Sequence, residues 1–478
     1  MQTASRCNRA LAFTAAALAS MLAACGGDQT AGIEGSGAPV ASSGVTTVGT
    51  ITGFGSVIVD DVEYATSAAQ IRIDDQPATE SQLRIGQIVT VKGTLDASGT
   101  KGSASEVSFS SDARGPVANV SATNGTFVLL GQTVHVTDDT LFDQSFQTQN
   151  ISALQVGAGV QVSGFANSAG DLVASRIDRA ETNEDQQVRG IAKSVDTGQR
   201  TFHVNALTID YSAANVSGAL AKGAAVTVRG SSLSASGVLR ATRVTVTSAG
   251  GGVGGAPNER GQVEGLISSF GSSSDFVVDN QRIATDANTQ FVLHGVTLRV
   301  NVQVKVKGTF NAAGVLLASK VEAKQKSSGV IRGVVDSIAN GRFNVLGLAV
   351  ASSATTAFED RSSEQARVFR LTDLRVGDYV EVRGTTDASG STLDATFVAR
   401  DTSDSRAQLR GVASNVAAPS FTVLGVSVVT NAQTQFQGLG GGINGAAQFF
   451  SEAANHTVDV QGTLNGNVLL AAQVQLVK

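Results

Sequence analysis

Alternating hydrophobic and polar positions recur six times along the chain in one eight-residue pattern. Each copy begins with Gly or Asn, has Val at the third and fifth positions after it with a polar residue between, and ends with Gly. Because successive side chains of a strand point to opposite faces, the two valines share a buried face and the residue between them faces outward. The closing glycines are Gly93, Gly164, Gly230, Gly308, Gly384 and Gly462. The pattern predicts a tandem array of one small all-β module.

Two details of the pattern predict backbone geometry. The opening residue is Gly in four copies and Asn in two, Asn301 and Asn455. Gly and Asn accept positive φ most readily, so a left-handed turn is expected before the strand. After the closing Gly, a Leu-x-Ala pattern, complete in five copies, keeps a period of two, but the next Val or Ile follows one position late. This shift predicts a β-bulge that bends the last strand and favours a closed barrel.

The spacing of the modules predicts their size and boundaries. Consecutive opening glycines of the modules are 66 to 78 residues apart, as from Gly49 to Gly115 and from Gly333 to Gly411. Five short strands in about 70 residues are typical of small closed barrels of the OB type. The predicted modules are 46–112, 113–181, 186–248, 259–324, 328–401 and 406–478. A Gly-rich linker over 249–258 is expected to divide this row of barrels into two groups of three.

The N-terminus has the features of an export signal. Arg6 and Arg9 precede an apolar run that ends in small residues, which predicts a signal peptide over residues 1–24. Its ending, Leu22-Ala23-Ala24-Cys25, resembles the lipobox of bacterial lipoproteins. The resemblance implies that Cys25 carries a lipid that binds the protein to a membrane; the alternative is an ordinary signal peptide with a chance Cys. Residues 25–45 are then expected to form a flexible tether.

The same resemblance bears on localisation and on cysteine chemistry. Gly26 stands where an Asp would retain a lipoprotein in the inner membrane, which favours the outer membrane, facing either the periplasm or the exterior. Cleavage before Cys25 removes Cys7, the other of the two cysteines. No intramolecular disulfide is therefore expected, even in an oxidising compartment.

The modules resemble a known family. The opening Gly, the Phe-containing second strand, the Gly-x-x-Val-x-Val-x-Gly strand and the Leu-x-Ala-x-x-Val ending are similar to the bacterial domain of unknown function 5666, whose repeats are small OB-like barrels in secreted and lipid-anchored proteins. The resemblance extends from about Thr46 to Lys478. It implies the fold but no activity.

Side chains suited to catalysis or to metal binding are scattered. His135, His203, His294 and His456 fall at unrelated places in four modules, so no metal site, cofactor or catalytic residue is predicted. Acidic pairs such as Asp60-Asp61 are interpreted as turn residues. Nucleic-acid binding is not expected, because the net charge is −5 and the chain has no Trp and three Tyr.

One set of cations could bind a ligand. A basic residue precedes the opening Gly in four modules and the closing Gly in four. If those strands pair, Arg189 and Arg229 in the third module and Arg332 and Arg383 in the fifth would cluster on outer barrel faces, where they would suit anionic groups of an envelope polysaccharide. A solvated strand face is the simpler interpretation, and it is the one we favour.

These observations favour a non-enzymatic, lipid-tethered scaffold or binding protein of the bacterial cell envelope, with a protein or polysaccharide partner. A binder of anionic polysaccharide is the first alternative. An enzyme with a site between modules is the second, although no residue pattern supports it.

Overall fold

Six repeats with the same strand order account for the described part of the chain. The computed structural model describes residues 43–146, 148–180, 184–248, 252–387, 391–438 and 445–477. The predicted signal peptide, Cys25 and most of the predicted tether lie outside these residues. The first strand begins at Ser43, so the prediction that the tether extends to residue 45 was too long.

The first three repeats are formed by nineteen strands. Repeat 1 contains β1 (Ser43–Gly53), β2 (Val57–Val59), β3 (Val62–Ala65), β4 (Gln70–Ile73), β5 (Gln76–Ala78), β6 (Ile88–Leu95) and β7 (Lys101–Phe109). Repeat 2 contains β8 (Ala113–Ser121), β9 (Thr126–Leu129), β10 (Gln132–His135), β11 (Leu141–Phe142), β12 (Gly159–Ala166) and β13 (Leu172–Arg179). Repeat 3 contains β14 (Gln186–Asp196), β15 (Thr201–Val204), β16 (Leu207–Asp210), β17 (Asn215–Ser217), β18 (Ala225–Leu233) and β19 (Val238–Ser248).

The last three repeats follow the same order. Repeat 4 contains β20 (Arg260–Ser272), β21 (Asp275–Val278), β22 (Gln281–Ala284), β23 (Gln290–Val292), β24 (Gln303–Phe310) and β25 (Leu316–Ala323). Repeat 5 contains β26 (Gly329–Ala339), β27 (Arg342–Val345), β28 (Leu348–Ala351), β29 (Ala357–Arg361), β30 (Tyr379–Thr386) and β31 (Thr392–Asp401). Repeat 6 contains β32 (Ala407–Ala417), β33 (Ser420–Val423), β34 (Val426–Val429), β35 (Gln435–Gln437), the helix α1 (Ala446–Glu452), β36 (Thr457–Asn465) and β37 (Val468–Val477). Short 3-10 turns lie at Glu80–Gln82, Ile151–Ala153 and Leu371–Asp373.

Each repeat closes into a five-stranded barrel. In repeat 2, β8 pairs with β9, β9 with β10, β10 with β13, β13 with β12, and β12 again with β8. Only the β10–β13 pair in this ring is parallel. The short strand β11 also pairs with β13 in parallel, further along β13 than β10 does, and is not part of the ring. Closure leaves no free edge within the ring, which is how OB-type barrels protect their strands. The predicted all-β array of small OB-like barrels is confirmed.

The eight-residue pattern forms the strand that closes each ring, together with the turn before it. The twelve valines of the pattern are at most 1% exposed, so they face the barrel cores as predicted. The opening residue has φ between 61° and 95° in all six copies, including Asn301 and Asn455. The predicted left-handed turn is confirmed.

The closing Gly is required by the bulge that the sequence predicted. In all six repeats the pairing of the last two barrel strands shifts by one residue at the closing Gly. In repeat 4, a Cβ on Gly308 would lie 2.2 Å from the carbonyl oxygen of Leu317, so only Gly fits. The bulged residue Ser319 donates a hydrogen bond to the carbonyl oxygen of Lys307 at 3.1 Å. The bulge therefore requires Gly at the closing position and a bend in the last strand. The closing Gly and the late Val or Ile of the sequence provide these two features.

Strand pairing between barrels joins the repeats in twos. Repeats 2 and 3 pair antiparallel through β8 and β14, and repeats 5 and 6 pair through β26 and β32. Repeats 1 and 4 pair in parallel through β1 and β20, although the two strands lie more than 200 residues apart in the chain. The expected row of two groups of three is therefore wrong, because repeat 4 shares a sheet with repeat 1 of the first group. In the described residues, no helix has the length and apolar character needed to cross a membrane.

Candidate functional site at the junction of four repeats

One pair of facing residues on the outer side of every barrel differs in charge and polarity between repeats. The pair consists of the residue before the Gly that opens each module and the residue between the two valines of the eight-residue pattern. The Gly residues that open the modules are Gly49, Gly115, Gly190, Gly265, Gly333 and Gly411. The six pairs are Val48 with Thr90, Arg114 with Gln161, Arg189 with Thr227, Glu264 with Lys305, Arg332 with Glu381, and Arg410 with Asp459. Three of the six residues between the valines are buried by neighbouring structure. The outward face predicted to be solvated is thus in large part an interface between repeats.

The pair in repeat 4 holds repeats 1 and 4 together. Nζ of Lys305 lies 3.1 Å from Oδ1 of Asp61 and 3.6 Å from Oδ1 of Asp60, both in the β2–β3 turn of repeat 1. Oε2 of Glu264 accepts a hydrogen bond from the backbone N–H of Thr50 at 2.9 Å. Oε1 of Glu264 lies 2.8 Å from Nζ of Lys324. Each member of the repeat 4 pair therefore has a partner in repeat 1.

Burial and charge shift the pKa values of this cluster in opposite directions. Burial raises the pKa of Asp60 to about 6, and the nearby Lys305 only partly offsets it. Burial would also raise the pKa of Glu264, but the charges of Lys324 and Lys305 outweigh it and lower the pKa to about 2. Glu264 is therefore ionised at neutral pH, whereas Asp60 titrates in the weakly acidic range.

A second ionic cluster joins repeat 5 to repeat 2. The fully buried carboxylate of Glu381 contacts Arg332, Arg361 and Arg383, and these cations outweigh the effect of burial and lower its pKa. Nη1 of Arg383 also donates hydrogen bonds of 2.7 Å to the carbonyl oxygens at residues 138 and 140 in repeat 2. The guanidinium group thus bridges a carboxylate of its own repeat and the backbone of another.

Arg176 of repeat 2 connects three repeats. Its Nε lies 2.7 Å from Oδ1 of Asp178, its Nη1 donates to the carbonyl oxygen of Ile85 in repeat 1 at 2.9 Å, and the same Nη1 lies 3.5 Å from Oε1 of Glu359 in repeat 5. The side chain is 2% exposed. Apolar side chains of repeats 2 and 5, including Leu141 and Phe397, also enter the core of repeat 1. Repeats 1, 2 and 5 are therefore in contact through both polar and apolar groups.

The four arginines predicted to bind anions lie in two places, and most of their charge is already matched. Arg229 is buried, with Nη2 3.0 Å from Oδ2 of Asp75 in repeat 1. Arg332 and Arg383 both contact Glu381. Arg189 is 41% exposed and lies 3.2 Å from Asp112 of repeat 2. The structure brings Arg332 and Arg383 together around Glu381, whereas Arg229 contacts repeat 1, and of the four arginines only Arg189 is exposed.

A cavity of about 600 Å³ lies where repeats 1, 2, 4 and 5 meet. His135 and His294, which are far apart in the sequence, both line it. Nε2 of His135 lies 3.1 Å from Oδ2 of Asp171. Glu264 and Lys305 also line the cavity, so the ionic contact between repeats 1 and 4 forms part of its wall. Among the described residues, no group of three or more His, Cys, Asp or Glu side chains is arranged to hold a metal ion.

One position of the repeat differs in polarity between repeat 1, which lines the cavity, and the other five repeats. The residue after the opening Gly is Pro or aliphatic in five repeats: Pro116, Ile191, Leu266, Val334 and Val412. In repeat 1 it is Thr50, which lines the cavity and is 8% exposed. A polar residue in one copy of an otherwise apolar position marks a place where the repeats differ in chemistry.

The fold and this junction define a protein built from tandem small β-barrels that contact one another through ionic clusters. Five segments of the chain, 114–178, 187–245, 264–322, 332–399 and 410–475, match the family model described as "Domain of unknown function (DUF5666)". The chain belongs to this family. The matches do not include repeat 1, but its strands pair in the same order as those of the other repeats. No curated protein matches the chain.

Proposed function

We propose that this protein is a non-enzymatic lipoprotein of the bacterial cell envelope, whose six barrels form a scaffold or binding body. A lipid on Cys25 would attach it to a membrane, in our proposal the outer membrane, facing the periplasm or the exterior. Its partners would be envelope proteins or polysaccharides, and it would need no cofactor.

The observation that supports this role is the way the repeats are joined. The contacts of Arg176 and Arg383 and the Lys305 contact with Asp61 link different repeats through buried or nearly buried charged groups. A buried charge that loses its partner is destabilising by several kcal/mol, so such contacts favour one arrangement of the barrels. A fixed arrangement suits a protein that presents surfaces to partners at set positions.

The tether is tested by fatty-acid labelling of the full-length chain. The protein is produced in a bacterial host that is fed an alkyne fatty acid, and the Cys25→Ala variant serves as the control. We expect label and membrane association for the parent protein and neither for the variant. Equal labelling of the two proteins, or none of either, would contradict lipidation at Cys25.

The binding role is tested by crosslinking in the native envelope. The lipidated protein is crosslinked in intact cells and isolated, and the covalent adducts are identified by mass spectrometry. We expect recurrent envelope proteins or glycan fragments. A control in which Arg383→Ala removes the hydrogen bonds to the carbonyl oxygens at residues 138 and 140 of repeat 2 should lose adducts that depend on the fixed arrangement of the barrels. Identical adducts from the control would argue against a role for that arrangement.

A further inference from the structure

We propose that β23 of repeat 4 is a docking site for an extended segment of a partner protein, which adds one antiparallel strand beside β23 and packs an aromatic side chain on Phe291. This inference specifies one partner of the binding role proposed above and rests on that role. It does not depend on the lipid anchor.

One short strand of every repeat runs parallel to the last barrel strand and lies outside the five-stranded ring. One residue of this strand pairs with a Val or Ile of the last strand that is 0% exposed in all six repeats. These residues are Ile71, Phe142, Val216, Phe291, Phe358 and Phe436. Paired residues of neighbouring strands have their side chains on the same face, so this position lies on the core side of each barrel.

In three repeats the chain itself covers the Phe at this position with a second aromatic ring. The ring centroids lie 5.6 Å apart for Phe142 and Phe146, 6.4 Å for Phe358 and Phe369, and 5.4 Å for Phe436 and Phe449. Each second ring belongs to the segment that follows the short strand and is at most 5% exposed. Aromatic pairs at such distances stabilise beyond the burial of their apolar area.

Repeat 4 has no such cover for its Phe. The chain from Phe291 to the turn at Asn301 contains no second Phe and no Tyr or Trp. The side chain of Phe291 is 38% exposed, whereas that of Phe142 is 1% exposed. Leu298 of the following segment packs into the barrel core. Repeat 4 therefore presents an aromatic ring that the chain covers at the equivalent place of three other repeats.

The backbone of β23 also has a free edge. Among the described residues, β23 pairs only with β25. In the equivalent strand of repeat 1, the N–H of Asp74 donates to the carbonyl oxygen of Phe109 in the last strand. Because backbone groups of successive strand residues alternate in direction, those of Ile71 point away from the last strand. Phe291 has the same register as Ile71, so its N–H and C=O groups point to the free side.

Repeat 1 shows how a strand occupies this side. There β5 pairs antiparallel with β4, and Ala78 lies opposite Ile71. A partner segment in the place of β5 beside β23 would form backbone hydrogen bonds with Phe291, as in other cases of strand addition. An aromatic residue opposite Phe291 would also supply the ring contact that repeats 2, 5 and 6 make internally. The strand β17 of repeat 3 has Val216 at this position and offers a smaller apolar contact.

The test measures binding of labelled octapeptides to the full-length protein in detergent by fluorescence anisotropy. Each peptide has Lys at both ends and three apolar residues that alternate with Thr, and the apolar positions are varied among Val, Ile, Leu, Phe and Tyr. We expect saturable binding that is tightest for peptides with Phe or Tyr at the central apolar position. If no peptide binds saturably, or if an aromatic residue gives no advantage, the proposal is overturned.

N-methylation of the peptide distinguishes strand addition from apolar contact alone. In an antiparallel strand with its central aromatic residue opposite Phe291, the amides of the apolar residues face β23 and those of the inner Thr residues face away. Methylation of the apolar residues' amides should weaken binding about tenfold, and methylation of the inner Thr amides should leave it unchanged. Equal affinities of the two methylated peptides would overturn the proposed pairing.

Phe291→Ala tests the ring on the protein. We expect about tenfold weaker peptide binding, whereas Phe291→Tyr keeps the ring and should bind as the parent does. The matched control is Phe436→Ala in repeat 6, whose ring already contacts Phe449. This control should lower the thermal unfolding midpoint more than Phe291→Ala does and leave peptide binding unchanged. Unchanged binding by Phe291→Ala, loss of binding in Phe291→Tyr or an equal loss in the control would place the site elsewhere.

This site and the proposed binding role can fail separately. The Cys25→Ala protein should bind the peptides as the parent does, so a missing lipid would contradict the tether and not the site. Protein adducts in the native envelope without peptide binding in solution would overturn the site and leave the binding role standing. Peptide binding that depends on Phe291, without any adduct in the envelope, would support the site and contradict that role.

Discussion

Repeats 4 and 5 carry the same cross-strand ion pair with the charges exchanged. In repeat 4 the acid Glu264 precedes the opening Gly and Lys305 stands between the valines; in repeat 5 Arg332 precedes the Gly and Glu381 stands between the valines. The two barrels have the same strand order and similar cores. The exchange of charge therefore lies on an outer face and not in the barrel cores.

This exchange of charge goes with a different neighbour for each repeat. Lys305 extends to the acidic turn of repeat 1, with Nζ near Asp60 and Asp61. Glu381 instead contacts Arg332, Arg361 and Arg383. Of these, Arg383 also donates a hydrogen bond to a backbone carbonyl oxygen of repeat 2. Charged groups that must be paired when buried can thus specify which barrel docks on which, a role that we offer as a hypothesis. Five predictions test the comparison.

The largest effect is expected in repeat 5. Glu381→Ala leaves Arg332, Arg361 and Arg383 without their shared carboxylate and should lower the free energy of unfolding by about 3–5 kcal/mol. Guanidinium denaturation measures this. The control is Thr90→Ala at the same position of repeat 1, which should change stability by no more than about 1 kcal/mol. Equal losses in the two variants would show that the ionic cluster has no special importance.

A smaller loss is expected from the corresponding change in repeat 4. Lys305→Ala should lower the free energy of unfolding by about 2–3 kcal/mol at pH 7, because Lys324 still neutralises Glu264 and Asp60 can take up a proton. Removing the cation raises the pKa of Asp60 further, so the deficit relative to the parent protein should shrink as the pH falls from 7 to 5. A deficit that is independent of pH would contradict the assigned role of Asp60.

The parent protein should be most stable in weak acid. Burial raises the pKa values of Asp60, Asp112 and Asp401 to about 6, so their contribution to stability is fully present below about pH 4 and is lost as the pH rises through 6. The lowered pKa of Glu264 acts oppositely: its contribution is present above its ordinary value and is lost as the pH falls toward 2. Thermal unfolding midpoints between pH 3 and 8 should therefore peak near pH 4 and fall as the pH rises through 6.

A single variant assigns part of this pH profile. Asp60→Asn cannot lose a proton, so the fall in stability between pH 5 and 7 should be shallower by about 1–2 kcal/mol. Because Asp61 still faces Lys305, the contact between repeats 1 and 4 should persist. A profile with the same slope as that of the parent protein would show that Asp60 does not titrate in this range.

The smallest effect distinguishes the two Asn turns. Oδ1 of Asn301 accepts a hydrogen bond from the backbone N–H of Ser168 in repeat 2 at 2.8 Å. Asn301→Gly keeps the positive φ but removes this acceptor, so stability should fall by about 0.5–1 kcal/mol. Asn455 adopts the same turn and is exposed, and Asn455→Gly should be neutral or slightly stabilising. Equal values would mean that the turn contact between repeats 2 and 4 contributes nothing.

The backbone of each barrel could be predicted from local residues because local physics decides it. Alternation placed the valines inside, Gly and Asn marked the left-handed turn, and the late Val or Ile marked the bulge. Each signal depends on residues within one repeat. The burial of Arg383 could not be predicted in this way, because its partners at residues 138 and 140 lie in another repeat.

The pairing of repeats and the cavity were also beyond local patterns. The backbone of one strand edge can form hydrogen bonds with almost any other strand edge. The sequence therefore does not predict that β1 pairs with β20 rather than with a strand of an adjacent repeat. The histidines at the cavity seemed unrelated because the sequence separates them by more than 150 residues. The departure of Thr50 from the apolar residues of the other repeats was visible, but its burial depends on the packing of several barrels.

The sequence by itself determined the number of modules, the inward face of their closing strands and the bends that close each barrel. It did so because these properties follow from side-chain alternation and from the φ values that Gly and Asn allow. Only the tertiary structure decided which outward charges became buried, which repeats share a sheet and where a cavity remains. Those outcomes depend on contacts between segments far apart in the chain, and a charged side chain on a strand has the same local pattern whether water or another barrel covers it.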